Sequence, residues 1–238
     1  MPQKDNTILK MKQKCAQEAI KSVKEGMILG IGSGSTVCEF ISILSQSSLN
    51  LQKVICIPSS FDTEALLVNY GLQVGSLNQF PTIDLTFDGA DRVDKDLNCI
   101  KGGGGALLRE KIIGAASKAL IILVDKSKMV PALGNSFPVP IEVIPHARAF
   151  VYKQLRKLGG KPALRIASDK LGPTITDNGN VLLDTSFEEI NDVEKLEQTI
   201  NSIPGVMENG LFPNKMVHQV ILGTEKEIKI FKNSKKKE

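Results

Sequence analysis

The 238-residue chain has no tryptophan, two tyrosines and two histidines, and the histidines, His146 and His218, lie far apart. So few histidines disfavour both a histidine-rich metal site and a serine–histidine–aspartate triad. Aromatic residues are also too scarce to alternate with basic ones, as they do on many nucleic-acid-binding surfaces. Acid–base chemistry therefore falls to carboxylates and lysines, and we expect neither a bound metal nor a nucleic-acid partner.

Long apolar segments are absent as well. The longest uninterrupted apolar run covers residues 119–124, whereas a membrane-spanning helix needs about 20 residues. The N-terminal stretch MPQKDNTILKMKQK lacks the apolar core of a signal peptide. We therefore expect a cytoplasmic protein without a membrane partner.

The cysteines follow no disulfide or metal-binding pattern. The four of them have no CxxC spacing and lie in apolar stretches: Cys15, Cys38, Cys56 and Cys99. A chain of this length buries roughly 70–75% of its unfolded surface, so it needs no covalent or metal crosslink. The sequence predicts buried, reduced thiols.

Charge is concentrated at the end of the chain. The formal net charge is +4, and the last seven residues, KNSKKKE, hold most of it. Such a basic end is typically a solvated tail. Apolar residues make up 42% and charged residues 24% of the chain, a composition typical of a globular protein and not of a disordered one.

Short apolar strands alternate with amphipathic helices in the first 130 residues. Strands are predicted at 27–31, 54–57, 83–87 and 119–124, with helices before, between and after them. This alternation predicts an α/β fold, an open, mostly parallel and Rossmann-like sheet with helices on both faces.

The pattern changes at Pro131, where prolines become frequent. A helix at 147–158, two extended pieces and a helix at 193–203 predict a small α+β lobe over residues 131–205. Apolar pieces around Val206, 217–222 and 228–231 are expected to return to the main sheet. The predicted main domain therefore comprises residues 1–130 and 206–238.

The first candidate loop, residues 30–36, follows a predicted strand and reads GIGSGST. Its amides and hydroxyls can bind a phosphate through Ser33, Gly34, Ser35 and Thr36. Ser35 and Thr36 are also expected to cap the next helix. Ser35 stands where the dinucleotide-binding fingerprint requires its third glycine, and the Gly-Lys-Ser/Thr of a nucleotide P-loop is missing. From this loop alone, a phosphate site and an ordinary tight turn are both open.

The second loop has the sequence DGAD and comprises Asp88, Gly89, Ala90 and Asp91. Two carboxylates three residues apart can converge on one polyhydroxy ligand. Residues 94–98 resemble the start of an EF-hand, but Cys99 and Gly105 stand where that loop requires glycine and a bidentate glutamate. We therefore expect no calcium; the alternative is a turn-forming aspartate cluster.

Two further loops add cations and a carboxylate. Lys101 precedes four glycines, of which the first three are Gly102, Gly103 and Gly104, and Glu110 lies in the helix that follows. Four consecutive glycines are entropically costly, so they indicate close backbone approach to a ligand. Lys101 can then stabilise an oxyanion beside them. Lys128 follows the last strand of the main domain in the segment VDKSK.

Together these loops supply phosphate donors, carboxylates for hydroxyl groups, a lysine for an oxyanion and a glutamate base. That set suits the isomerisation of a phosphorylated aldose to a ketose by proton transfer through an enediolate. Composition and spacing do not name the sugar.

The ordered motifs GIGSGSTV, FDGADRVD, KGGGGALLREKI and VDKSK resemble the type A ribose-5-phosphate isomerases. The later segments IEVIPHA, TDNGNVLLD, IPGVMENGLF and VILGT extend the resemblance over nearly the whole chain. The resemblance implies interconversion of ribose 5-phosphate and ribulose 5-phosphate in the pentose phosphate pathway, without metal or organic cofactor. It also implies a homodimer or homotetramer.

The resemblance also implies roles for individual residues. Glu110 would move a proton between C2 and C1, and Lys101 would stabilise the enediolate oxygen. Asp88 and Asp91 would hold hydroxyls and assist ring opening. Ser35, Thr36 and Lys128 would bind the phosphate, with Lys12 as a loosely aligned fourth candidate. The implied substrate contacts are Ser33, Gly34, Ser35, Thr36, Asp88, Gly89, Ala90, Asp91, Lys101, Gly102, Gly103, Gly104 and Lys128.

The sequence differs from the family pattern at two places, and two other functions remain as alternatives. Arg92 replaces a glutamate found in many members, and Ser59 and Ser60 stand in a segment that differs from the commoner form. One rival is a deaminase or lactonase of similar fold, although such a deaminase relies on a histidine. The other is a non-catalytic sugar-phosphate sensor, which would need a DNA-binding segment before the first strand.

Overall fold

The computed structural model describes residues 2–134, 137–169 and 171–233, so the basic end predicted to be solvated lies largely outside it. The helices of this part are α1 (Pro2–Ile20), α2 (Ser35–Ser45), α3 (Phe61–Asn69), α4 (Leu107–Ala115), α5 (Arg148–Lys157) and α6 (Val193–Asn201). The strands are β1 (Ile28–Ile31), β2 (Ile55–Pro58), β3 (Gln73–Val74), β4 (Ile83–Asp88), β5 (Arg92–Val93), β6 (Cys99–Ile100), β7 (Ser117–Asp125), β8 (Val139–Val143), β9 (Lys161–Leu164), β10 (Val181–Ser186), β11 (Val206–Asn209), β12 (Leu211–Phe212), β13 (Gln219–Gly223) and β14 (Ile228–Lys232).

The chain divides into two compact units. The first comprises Met1–Ala90, Arg109–Met129 and Lys215–Glu238, and the second comprises Asp91–Leu108 and Val130–Asn214. The first contains a seven-stranded sheet in the order β14-β13-β7-β4-β1-β2-β3. All of its neighbouring strands are parallel except β13 and β14. The predicted α/β fold with an open, mostly parallel sheet is confirmed.

Helices cover both faces of this sheet. Cys56 of β2 packs in one apolar cluster with residues of α1 and α2, whereas the next residue, Ile57, packs in another cluster with Ile113 of α4. Successive side chains of a strand point to opposite faces, so the two clusters lie on opposite sides. In the first cluster Phe40 stacks on Phe87 with ring centroids 4.5 Å apart. Full burial of one such side chain contributes about 1.5–3 kcal/mol.

The second unit is an α+β lobe. It holds a four-stranded antiparallel sheet, β11-β8-β10-β9, and a three-stranded sheet, β12-β6-β5. Its core joins apolar residues of β8 and β10 to residues of both helices, for example Leu155 of α5 and Ile200 of α6.

The lobe takes in more of the chain than predicted, because it includes residues 91–108 and 206–214. The segment around Val206 does not return to the main sheet, because β11 pairs antiparallel with β8. The short strands β5, β6 and β12 form a sheet of their own. The backbone N–H of Lys101 donates to the carbonyl of Gly210, which adds a link between these two stretches.

All four cysteines are free, as predicted, and three of them are buried. Cys38 differs from the prediction in being partly exposed. Burial raises the pKa of both the Cys15 and the Cys56 thiol to about 12, because a thiolate is poorly solvated there. In the described part of the chain, no helix has the length and apolar character that crossing a membrane would take.

Candidate active site

The loop between β1 and α2 crosses the end of β4. The N–H of Gly32 donates to the carbonyl of Phe87 at 2.9 Å. A side-chain carbon at Gly32 would overlap the carboxyl group of Asp88, so this approach requires glycine. The hydroxyl of Thr63, on α3, donates to the carbonyl of Gly32 at 2.8 Å and holds the loop from a third element.

Asp88 ends β4 and is completely buried. Its Oδ1 accepts hydrogen bonds from the backbone N–H of Ser33 at 3.2 Å and from that of Gly89 at 2.7 Å. Gly89 and Ala90, which complete the first unit at this point, are partly exposed. The two backbone donors fix the orientation of the Asp88 carboxyl group.

Glu110 lies in the first turn of α4 and is 3% exposed. The hydroxyl of Ser33 donates to its Oε1 at 2.5 Å. Ser33 therefore contacts both carboxyl groups, Asp88 through its amide and Glu110 through its hydroxyl. The structure thus brings together three of the residues that the sequence selected.

No described side chain accepts a hydrogen bond from the backbone N–H groups in the first turn of α2, so these groups are available to a ligand. The expectation that Ser35 and Thr36 cap this helix is wrong, because Gly34, with φ of +96°, occupies the capping position. The Ser35 hydroxyl instead accepts a hydrogen bond from Nζ of Lys12 at 2.8 Å. Thr36 is buried. Uncapped amides with an ammonium group beside them suit a phosphate.

Lys128 lies at the same edge of the sheet as these residues. Strands β1, β4 and β7 are parallel neighbours, so their carboxyl ends share one edge. Lys128 follows β7 in a short 3₁₀ turn, in which the backbone N–H of Ser127 donates to Asp125 Oδ1 at 2.8 Å. Lys128 is partly exposed, and among the described residues it makes no hydrogen bond to Ser35 or Thr36.

In the second unit, Asp91 is tied to the tetraglycine loop. Its Oδ2 accepts a hydrogen bond from the backbone N–H of Gly103 at 2.7 Å. A side-chain carbon at Gly103 would overlap the Asp91 carboxyl group, so this position requires glycine. Gly102 has φ of +95°, and its carbonyl accepts from Gly105 N–H at 2.9 Å, which closes a turn.

Lys101 is 2% exposed, which is unusual for a lysine. Its backbone N–H is fixed by Gly210, whose own N–H donates to the carbonyl of Pro140 on β8. Its ammonium group lies 5.4 Å from the centroid of the Phe212 ring, a cation–π arrangement. A buried ammonium group of this kind is held in place and acts at short range on a developing negative charge.

The residues that departed from the family pattern have structural contacts. The guanidinium of Arg92 lies 5.0 Å from the centroid of the Phe137 ring and donates to the backbone carbonyl of Asp91. It therefore contacts the Asp91 backbone, and no hydrogen bond to the Asp91 carboxylate is observed among the described residues. Ser60 caps α3 by accepting from Thr63 N–H, and Ser59 N–H donates to the carbonyl of Ile31.

Sequence reasoning missed two residues that support these loops. Thr63 holds the Gly32 carbonyl, and Arg165 donates to the carbonyls of Gly102 and Gly103. Thr63 follows Ser60 at a capping distance, a signal that points to a helix start only. Arg165 lies more than 60 residues from the glycines it contacts, so no local pattern indicates it.

Within the described residues, no group of three or more histidine, cysteine, aspartate or glutamate side chains is arranged to hold a metal ion. The first unit holds a buried glutamate on a serine hydroxyl, an oriented aspartate and a helix start that suits a phosphate. The second unit holds a buried lysine and an oriented aspartate. These groups can exchange protons with a sugar chain and stabilise an oxyanion.

Comparison with known proteins agrees with this chemistry. The model of the family described as ribose 5-phosphate isomerase A (phosphoriboisomerase A) matches residues 55–227. Ribose-5-phosphate isomerase A of Synechococcus sp. is 46% identical over 204 residues, which cover 85% of this chain and 88% of that protein.

Two solved structures are also similar. Ribose 5-phosphate isomerase A from Methanocaldococcus jannaschii has a TM-score of 0.89 at 42% identity, covering 94% of this chain and 98% of that one. A D-ribose-5-phosphate isomerase in complex with phospho-erythronic acid has a TM-score of 0.92 at 39% identity, covering 94% and 99%.

A mostly parallel α/β sheet, together with these relatives, defines an isomerase of phosphorylated sugars. The chain belongs to the ribose 5-phosphate isomerase A family. Its activity is that of the family, the isomerisation of ribose 5-phosphate. The resemblance in the motifs is thereby confirmed, and the activity identifies an enzyme rather than a sensor.

Proposed function

We propose that this isomerase interconverts D-ribose 5-phosphate and D-ribulose 5-phosphate in the pentose phosphate pathway, with Glu110 as the base. The observation that carries the proposal is the hydrogen-bonded group of Ser33, Asp88 and Glu110. A carboxyl group that is buried and held by one hydroxyl is positioned to move a proton to and from carbon.

In the proposed reaction, Glu110 takes the proton from C2 of the open-chain aldose. The electron pair of that C–H bond forms the C1–C2 double bond, and negative charge moves onto O1. A proton then passes from O2 to O1, and Glu110 returns its proton to C1, which yields the ketose. Protons and electrons balance in this scheme, because one proton moves from C2 to C1 and one from O2 to O1. No oxidant, reductant or metal is therefore needed.

Lys101 and the two aspartates serve the oxygen atoms in this scheme. The buried Lys101 ammonium group stabilises the enediolate oxygen, where charge develops. Asp88 and Asp91, each oriented by a backbone N–H, hold substrate hydroxyls and assist ring opening and the O1–O2 proton transfer. The amides of Gly102, Gly103 and Gly104 complete the proposed contacts in the glycine loop.

The phosphate is assigned to the start of α2 and to Lys128, which predicts a selective binding defect. A charge-assisted hydrogen bond contributes about 1.5–3 kcal/mol. We expect Lys128→Ala to weaken ribose 5-phosphate binding roughly ten- to a hundredfold, since about 1.4 kcal/mol is tenfold. Free ribose lacks the anion, so its slow turnover is expected to be unaffected. Steady-state kinetics on both sugars measure the difference.

Lys126→Ala is the matched control for this variant, because Lys126 belongs to the same 3₁₀ turn and is exposed. It is expected to behave like the unaltered enzyme. Equal losses on ribose and ribose 5-phosphate in Lys128→Ala would show that Lys128 does not bind the phosphate.

The whole proposal is tested by a coupled assay for ribulose 5-phosphate formed from ribose 5-phosphate. We expect full conversion to equilibrium without added cofactor and in the presence of excess chelator, because side chains perform every proposed step. Absence of conversion by the folded protein would refute the function. Activity lost on chelation and restored by a divalent ion would refute the metal-free mechanism.

Compartment and assembly complete the proposal. We place the enzyme in the cytoplasm, a reducing compartment to which four free cysteines are suited. We also propose a homodimer or homotetramer. Large apolar side chains of the first unit that lie on its surface, such as Phe61 and Val68, support self-association.

A further inference from the structure

Arg165 and Asp184 form an ion pair in the second unit. Arg165 directly follows β9, and Asp184 lies on the neighbouring strand β10. Nε and Nη2 of Arg165 donate to the two carboxyl oxygens at 2.8 and 2.5 Å, the bidentate geometry of strong pairs. The side chains are only 17% and 24% exposed, whereas those of the nearby Lys161–Glu188 pair are 67% and 82% exposed.

The remaining nitrogen of Arg165 reaches the glycine loop. Nη1 donates to the carbonyl oxygen of Gly102 at 3.1 Å and to that of Gly103 at 3.0 Å. Because Asp184 holds the other two nitrogens of the planar group, the direction of Nη1 is fixed. One side chain therefore clamps two consecutive peptide carbonyls.

This clamp determines where the loop amides point. In a trans peptide the N–H and C=O groups point in opposite directions. The Gly102 carbonyl shares its peptide with the Gly103 N–H, and the Gly103 carbonyl shares its peptide with the Gly104 N–H. With both carbonyls on Arg165, both N–H groups face away from it. The Gly103 N–H donates to Asp91, and the exposed Gly104 N–H has no acceptor among the described residues.

The clamp also affects the strength of these donors and the order of the loop. A cation on a carbonyl oxygen polarises the peptide and makes its N–H a stronger donor. Glycine loses more conformational freedom on ordering than any other residue, so four in a row do not hold one arrangement without an external constraint. Arg165 supplies that constraint at the first two peptides between these glycines.

We propose that Arg165, held by Asp184, is a positioning residue for the isomerase reaction. It orients the Gly104 amide toward the reacting oxygens of the sugar and, through the Gly103 amide, fixes the Asp91 carboxylate. This inference rests on the proposed function, because Asp91 and the glycine amides must act on the substrate.

The test compares Arg165→Met, Arg165→Lys and the double variant Arg165→Met with Asp184→Leu, using Lys161→Met as the control at the exposed pair. In Arg165→Met we expect kcat to fall about a hundredfold, the cost of a misplaced group near the chemistry, with little change in KM. Arg165→Lys is expected to recover only part of the loss, because an ammonium group cannot hold a carboxylate and two carbonyls at once.

The double variant separates positioning from stability. Apolar replacement of a shielded ion pair commonly restores stability, so thermal unfolding is expected to return toward that of the unaltered enzyme while kcat stays low. Phospho-erythronic acid has a planar carboxylate that resembles an enediolate. We therefore expect it to inhibit the double variant more weakly than the unaltered enzyme, in parallel with the fall in kcat. Inhibition by inorganic phosphate is expected to stay unchanged.

Recovery of both stability and kcat in the double variant, or a defect confined to KM, would overturn the proposal. If Arg165→Met does not fold, Arg165→Lys and the double variant decide the question. Amide chemical shifts of Gly103 and Gly104 provide a readout that does not depend on activity. Unchanged shifts in the double variant would refute the clamp, whereas an unaltered enzyme without isomerase activity would refute the proposed function instead.

Discussion

Glu110→Gln is expected to lower kcat by about 10²–10⁴-fold, the usual contribution of a general base. Glutamine has nearly the same size and can still accept the hydrogen bond from Ser33, but an amide cannot take up the C2 proton. Binding of ribose 5-phosphate should therefore change little. Initial rates measure the first effect, and loss of deuterium exchange at C2 in D₂O identifies the step that fails.

Glu39→Gln is a suitable control for this experiment. Glu39 lies on α2, accepts a hydrogen bond from Gln13 and has no role in the proposed mechanism. Its replacement should leave both turnover and exchange intact. Near-normal turnover in folded Glu110→Gln protein would show that another group moves the carbon-bound proton.

Lys101→Met is expected to lower kcat by about 10²–10³-fold, the range found when one oxyanion donor is removed. The charge matters most as the enediolate forms, so kcat should fall more than the affinity for substrate. Methionine keeps an apolar stem of similar length against Phe212, which limits the packing defect at this buried position. Rates, KM and thermal unfolding of the variant are measured together.

A change confined to KM would show that Lys101 binds the substrate and does not stabilise the enediolate. An unfolded variant would be distinguished by its melting curve, and Lys101→Arg would then test the need for charge at this position. Lys101→Arg keeps the positive charge, so it should retain more of kcat than Lys101→Met.

Much of the first unit could be predicted from local sequence. Strand β7 contains the longest apolar run, residues 119–124, because both faces of a parallel sheet are buried. Strand β4 instead alternates apolar residues with Asp84 and Thr86. Ser33 and Lys128 follow β1 and β7, and Asp88 ends β4. The rule that ligands bind at the carboxyl ends of such strands placed these residues at one edge. Periodicity also located the helices to within a few residues.

Other elements have no local signal. Strands β5, β6 and β12 are two residues long, too short for any alternation to be visible. Strand β8 contains Pro140, and proline normally argues against a strand. The true limits of the lobe therefore depend on pairings between distant segments, such as Lys101 with Gly210.

The sequence by itself determined the class of fold and the selection of Glu110, Lys101 and the two aspartates as candidate site residues. These follow from residue type and spacing along the chain, which are local properties. Only the tertiary structure decided that Ser33 links Asp88 to Glu110, that Gly34 rather than a hydroxyl residue caps α2, and that Arg165 clamps the glycine loop. The Ser33 and Arg165 contacts join segments far apart in sequence, and the direction of a hydrogen bond between such segments exists only once the chain has folded. The cap at Gly34 is local, but it depends on a backbone conformation with positive φ that residue type alone does not reveal.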